Sequence, residues 1–146
     1  MEYRTSGHAV WEIKYHLIWI TKYRYKVLRG EVAERARDLI PQICQAREVS
    51  IVRGAVSPDH IHMLVAAPPQ LSPAKLVQYI KGRSSRRLQE EFPHLRKRYW
   101  GQHLWARGYF CATVGAVDEK TIMEYIENQK WDEDDQGFQI TAPSEP

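Results

Sequence analysis

His60 and His62 sit two apart in the stretch Ser57-Pro58-Asp59-His60-Ile61-His62-Met63-Leu64-Val65. In a strand, alternate side chains leave on one face, so the two imidazoles stand side by side while Ile61 enters the opposite layer. Two neutral imidazoles held this way can ligate a divalent metal. Alone, they could equally be polar residues on a solvated strand face. Farther along, Tyr125 and Gln129 are four apart. On a helix they share a face, at the edge of a stripe made by Ile122, Met123 and Ile126. The simplest use of such a tyrosine is at a boundary, ring packed and hydroxyl wet. Combined with the histidines it suits another task, nucleophilic attack on a phosphodiester. A phenol with pKa near 10 is protonated at neutral pH. It becomes useful when a metal polarises and orients the phosphate. The Gln129 carbonyl could supply one oxygen ligand, and phosphate and water the others. That set suits Mg²⁺ or Mn²⁺ better than a closed zinc site.

The charge distribution asks for a polyanion. Net charge is only +3, but residues 1–117 carry 19 Lys and Arg against 9 Asp and Glu, whereas 118–146 carry 2 against 9. A basic body with an acidic tail fits a nucleic-acid partner for the body. Two basic segments are candidates for backbone contact. Thr21-Lys22-Tyr23-Arg24-Tyr25-Lys26 interleaves cations with tyrosines. Lys81-Gly82-Arg83-Ser84-Ser85-Arg86-Arg87 meets no carboxylate at helical spacing until Glu90, which leaves an external phosphate chain as the expected partner. No apolar run approaches the roughly 20 residues of a membrane span, and the opening residues lack the apolar core of a secretory signal. Cys44 and Cys111 fit neither a zinc pattern nor a disulfide framework, so reduced thiols are expected.

At 146 residues the chain has room for one core. Residues 11–20 alternate and then turn wholly apolar, as a central strand does. Residues 31–48 repeat apolar positions at helical spacing, with a kink or break expected at Pro41. Strands follow at 51–56 and 60–67, joined as a hairpin at Pro58-Asp59. Ser72-Pro73 starts a second helix as N-cap and first helical residue. An irregular basic and aromatic connection spans 92–105, and a fourth strand 109–114. Asp118 caps a final helix to about 131, and 132–146 is an acidic, proline-containing tail expected to be mobile. The order is α+β, the split βαββαβ of a ferredoxin-like fold. One antiparallel sheet has helices on one face and the histidine strand near its middle, and a C-terminal helix carries the tyrosine. Residues 1–131 form the single domain.

Four motifs occur in one order: Pro58-Asp59-His60-Ile61-His62-Met63-Leu64-Val65, Tyr79-Ile80-Lys81-Gly82-Arg83-Ser84-Ser85, Trp105-Ala106-Arg107-Gly108-Tyr109-Phe110 with Thr113-Val114-Gly115, and Tyr125-Ile126-Glu127-Asn128-Gln129. This pattern closely resembles the TnpA-type HUH single-tyrosine transposases of insertion sequences that move as single-stranded DNA. The resemblance implies His60 and His62 as metal ligands and Gln129 as the third. Tyr125 would attack the DNA, leaving a 5′-phosphotyrosine and a free 3′-hydroxyl. It further implies a homodimer, hairpins near the element ends as DNA targets, and a cytoplasmic, nucleoid-associated enzyme of a bacterium or archaeon with no membrane partner. Lys22, Arg24, Lys26, Lys81, Arg83, Arg86 and Arg87 are the expected DNA contacts. A domesticated relative cutting repeated chromosomal hairpins would share this chemistry. A non-catalytic ferredoxin-like binding module would use the sheet aromatics instead, and would give no reason for His60, His62, Tyr125 and Gln129 together.

Overall fold

Alternation along residues 14–20 builds the strand on which the sheet is assembled. The computed structural model describes residues 4–6, 9–11 and 13–114; the expected final helix, with Tyr125 and Gln129, and the tail lie outside the described residues. After a short hairpin of β1 (Arg4–Ser6) and β2 (Ala9–Trp11), β3 runs Lys14–Ile20. The long strand expected from Trp11 is thus divided. The β3 ladder with β5 ends with Lys14 opposite Ala66, and Ile13 lies outside both strands.

The remaining elements are α1 (Gly30–Gln45), β4 (Ser50–Ser57), β5 (His60–Ala66), α2 (Pro73–Glu91), α3 (Pro93–Arg98) and β6 (Phe110–Val114). The four long strands lie in the order β4-β5-β3-β6, every pair antiparallel. This is the ferredoxin-like arrangement, with the histidine strand inside the sheet. Three local outcomes match the sequence expectation. Pro58-Asp59 closes the β4–β5 hairpin, Ser72 Oγ accepts from the Lys75 N–H at 3.1 Å as an N-cap, and Pro73 opens α2.

Two expectations are modified for identifiable reasons. Of the kink or break expected at Pro41, the break does not occur, and helix α1 runs through the proline without ending. A proline costs roughly 3 kcal/mol in a helix interior. Pro41 itself is exposed, while Leu39, Ile40, Ile43 and Cys44 around it are buried. At about 1.5–3 kcal/mol for each buried large aliphatic chain, packing outweighs the proline. The connection expected to be irregular holds the short helix α3, started by Pro93 at its first turn and anchored by the fully buried Leu95.

One face of the sheet presents Leu17, Trp19, Ile61, Met63 and Val65 to α1 and α2, whose Val32, Ala36, Leu39, Leu76 and Ile80 complete the core. The alternate residues of the same strands, His16, Ile18, His60, His62 and Leu64, occupy the other face and are buried as well. That second face carries the histidine pair.

Candidate metal and nucleic-acid site

Strand register decides what flanks the imidazoles. His60 lies opposite Ile20 on β3 and Ser57 on β4, and His62 opposite Ile18 and Ala55. Opposed residues project on the same face, so each imidazole has an isoleucine on one side and a small side chain on the other. The two ring centroids are 5.4 Å apart, as spacing two on a strand requires, and each residue is only 4% exposed. The solvated-face alternative is therefore excluded: these are buried histidines.

Their surroundings differ. His60 Nδ1 is 2.8 Å from Asp59 Oδ1, and Asp59 Oδ2 accepts from Arg24 Nε at 3.3 Å and Nη2 at 3.2 Å. Burial raises the Asp59 carboxyl, but the His60 hydrogen bond and charge, with the Arg24 guanidinium, outweigh it and hold the group below the usual carboxylate range. His62 Nδ1 is buried without a hydrogen-bond partner. Burial, helped by the charges of His60 and His16, pushes the His62 imidazole down to about 4. It is neutral at pH 7, the form a metal ligand needs. Two adjacent, buried imidazoles, one supported by a carboxylate and one with an orphaned nitrogen, fit a divalent cation. Among the described residues no third His, Cys, Asp or Glu completes a three-ligand group. Gln129, expected as a third ligand, lies outside the described residues, as does Tyr125.

The sequence reading missed two site residues. Asp59 looked like a turn former; its place immediately before His60 was the available signal. His16 shares the His62 face, fully buried, with its ring edge-on to Phe110 at 5.5 Å. Finding it requires the β3–β5 register, which no local pattern reveals. Burial drives the His16 imidazole down to about 4 as well. In unfolded chain both histidines titrate near 6.5. Between pH 6.5 and 4 the unfolded state therefore binds protons that the folded state refuses, and stability falls as pH drops. Urea denaturation of metal-free protein should lose on the order of 3 kcal/mol or more across that window. His16→Leu should make the slope clearly shallower; a flat profile in the parent chain would refute the account.

The expected DNA contacts divide sharply. Arg24 is taken up by Asp59. Lys81 Nζ donates to the carbonyls of Ala106 at 2.7 Å and Gly108 at 2.8 Å, tying the loop before β6 onto α2. Arg86 pairs with Glu90, and Arg87 with Glu91, each four residues on, so the expectation that this helix face is not neutralised internally is corrected for both. Arg83 lies 4.8 Å from the centre of the Tyr79 ring, and Arg47 3.9 Å from it. Lys22 reaches over Tyr23 at 5.3 Å. A groove of about 1160 Å³ runs between α2 and residues 101–109, and Lys22, Lys81, Arg86, Arg96, His103 and Arg107 line it. Arg96 and Arg107 join this basic surface although the sequence reading did not choose them. Tyr23 and Trp100 are exposed, at 69% and 86%. Exposed rings beside cations are the combination that stacks on and neutralises single-stranded nucleic acid.

The groove wall is anchored at the end of β3. Lys22 N–H donates to the Leu104 carbonyl and Ala106 N–H to that of Ile20. Trp105 Nε1 donates to the buried Ser84 Oγ at 2.9 Å, and Ser84 in turn donates to the Ile80 carbonyl. These contacts account for Ser84 and Trp105 inside the motifs read from sequence.

Comparison with known proteins agrees with this architecture. The family model described as transposase, IS200-like, matches residues 9–129. The ISDra2 transposase TnpA of Deinococcus radiodurans is 36% identical over 129 residues, which cover 88% of this chain and 92% of that protein. The transposase for insertion sequence element IS200 of Salmonella typhimurium is 35% identical over 140 residues, covering 96% and 91%. Among solved structures, a crystal structure described as a transposase from Deinococcus radiodurans R1 superposes with TM-score 0.71 at 39% identity, covering 86% of this chain and 97% of that one. A tyrosine transposase bound to a REP hairpin superposes with TM-score 0.59 at 15% identity, covering 84% and 70%, and shows a shared fold.

Proposed function

Since the chain belongs to the IS200-like transposase family, we propose that it cuts and rejoins single-stranded DNA at hairpin-marked element ends through a 5′-phosphotyrosine on Tyr125. The observation that carries this reading is the buried His60–His62 pair on the sheet face away from α1 and α2. His60 and His62 would hold Mg²⁺ or Mn²⁺, with Gln129 as third protein ligand. When bound, such a cation polarises the scissile phosphate and offsets the charge that develops there. The Tyr125 phenol gives up its proton, and its oxygen forms a bond to phosphorus as the bond to the 3′ oxygen breaks. The departing oxygen takes up a proton and becomes the free 3′-hydroxyl. Rejoining is the reverse with a different 3′-hydroxyl, and releases the phenol. One phosphoester bond is made for each one broken, so no ATP is required. A homodimer working on hairpin DNA in the cytoplasm completes the reading. The insertion-sequence role is preferred to the domesticated one because the relatives at 36% and 35% identity over most of their length are named as insertion-sequence transposases.

The test is an end-labelled single-stranded hairpin incubated with the protein and Mg²⁺ or Mn²⁺, then denatured and run on a gel. A labelled, denaturation-resistant protein band is expected. Its absence with both ions, on hairpins from the element's own ends, would reject the chemistry. The basic surface makes a separate prediction. Lys22→Ala should reduce the slope of log affinity against log salt by roughly 0.7, as loss of one phosphate contact to single strands does. Lys81→Met should leave the slope within error. It should instead lower stability by about 1.5–3 kcal/mol, because two carbonyls lose a charged donor. Salt titrations and urea curves on the two variants check this.

A further inference from the structure

We infer that Asp59 and Arg24 are a positioning pair for His60, dictating which ring nitrogen it offers to a cation. The inference deepens the metal reading above and takes its ligand from it. Asp59 is held at three points. Its Oδ1 faces His60 Nδ1 at 2.8 Å, its Oδ2 accepts twice from the Arg24 guanidinium, and its main-chain carbonyl accepts from Thr21 N–H at 2.9 Å. A carboxylate clamped by a guanidinium is ionised and can only accept. The proton between Asp59 and His60 therefore belongs to Nδ1, which leaves the Nε2 lone pair for a cation.

The backbone of the turn that carries Arg24 supports the assignment. Tyr23 has φ 64° and Arg24 φ 55°, a left-handed conformation that is unfavourable for a side-chain-bearing residue. Such a cost survives where the surroundings hold the segment in place. Here the Arg24–Asp59 pair and the Thr21–Asp59 bond join the end of β3 to the β4–β5 turn. The neighbouring ligand gives an internal contrast, because His62 Nδ1 has no hydrogen-bond partner. One imidazole of the pair is oriented by protein, and its neighbour is not oriented through Nδ1.

Imidazole nitrogen NMR on the full-length, metal-free protein reads the tautomer directly. His60 should carry its proton on Nδ1, and Asp59→Ala should move it wholly or partly to Nε2. Loss of an outer carboxylate typically costs 10–100-fold in metal affinity, so Mn²⁺ titration of Asp59→Ala should show that weakening, with cleavage recovering as Mn²⁺ is raised. Arg24→Gln, which keeps the carboxylate but removes its partner, should weaken Mn²⁺ less; it also serves if Asp59→Ala fails to fold. A merely structural Asp59 would lower stability without moving the tautomer. The proposal is overturned if His60 carries its proton on Nε2 in the parent chain, or if the variant that folds binds Mn²⁺ within twofold of it. Failure of the metal reading looks different: the parent chain would bind Mn²⁺ no better than His62→Ala, while the tautomer result would still decide whether Asp59 orients His60.

Discussion

Tyr125→Phe should yield no covalent adduct with hairpin DNA, while its affinity for that DNA in metal-free buffer should stay unchanged. The substitution removes one oxygen and keeps the ring, so whatever the ring packs against is retained and the loss falls on the reaction. Without the phenol oxygen no atom of residue 125 can bond to phosphorus, and the phosphotyrosine cannot form. Strand cleavage should fall by on the order of 10⁶-fold, the scale seen when a nucleophile is deleted from an otherwise intact site. Any remainder should be slow attack by water that leaves protein and DNA unlinked. Single-turnover cleavage and a denaturing gel measure both quantities. An adduct persisting in the phenylalanine variant would assign the nucleophile to another residue.

His62→Ala should cripple cleavage by another route. A cation that polarises phosphate supplies several kcal/mol of transition-state stabilisation. At 1.36 kcal/mol for each factor of ten, losing a ligand and its cation should cost on the order of 10³-fold. Stability of the metal-free protein should change much less than for an ordinary core deletion, because two effects oppose. Removing the ring leaves a cavity beside Ile18 and Leu64, which destabilises. The same change removes a buried nitrogen with no partner, a feature that itself costs about 1–3 kcal/mol. Thermal unfolding with added Mn²⁺ separates binding from folding. At a concentration 100 times its Kd, a ligand specific for the folded state contributes about 2.7 kcal/mol, so the parent chain should gain several degrees. His62→Ala should gain none. An equal gain in both proteins would show that the cation binds elsewhere.

Within the described residues, what the sequence determined by itself was whatever depends on near neighbours in the chain. Period-two alternation placed His60 and His62 on one strand face, Ser72-Pro73 marked the start of α2, and Pro58-Asp59 marked the hairpin. The order of these elements was enough for the ferredoxin-like sheet, because antiparallel hairpins and helical crossovers leave few ways to close it. Tertiary structure decided which partner each polar group meets. It carried α1 through Pro41, where the burial of flanking residues exceeds the cost of a proline. It brought His16 beside the histidine pair, set Asp59 between Arg24 and His60, and tied Lys81 to the loop before β6. Local geometry repeats every two or four residues and is written in the residue types. Partners 35 residues apart, such as Arg24 and Asp59, are chosen by strand register and by the crossing of helix on sheet, which exist only once the chain has folded.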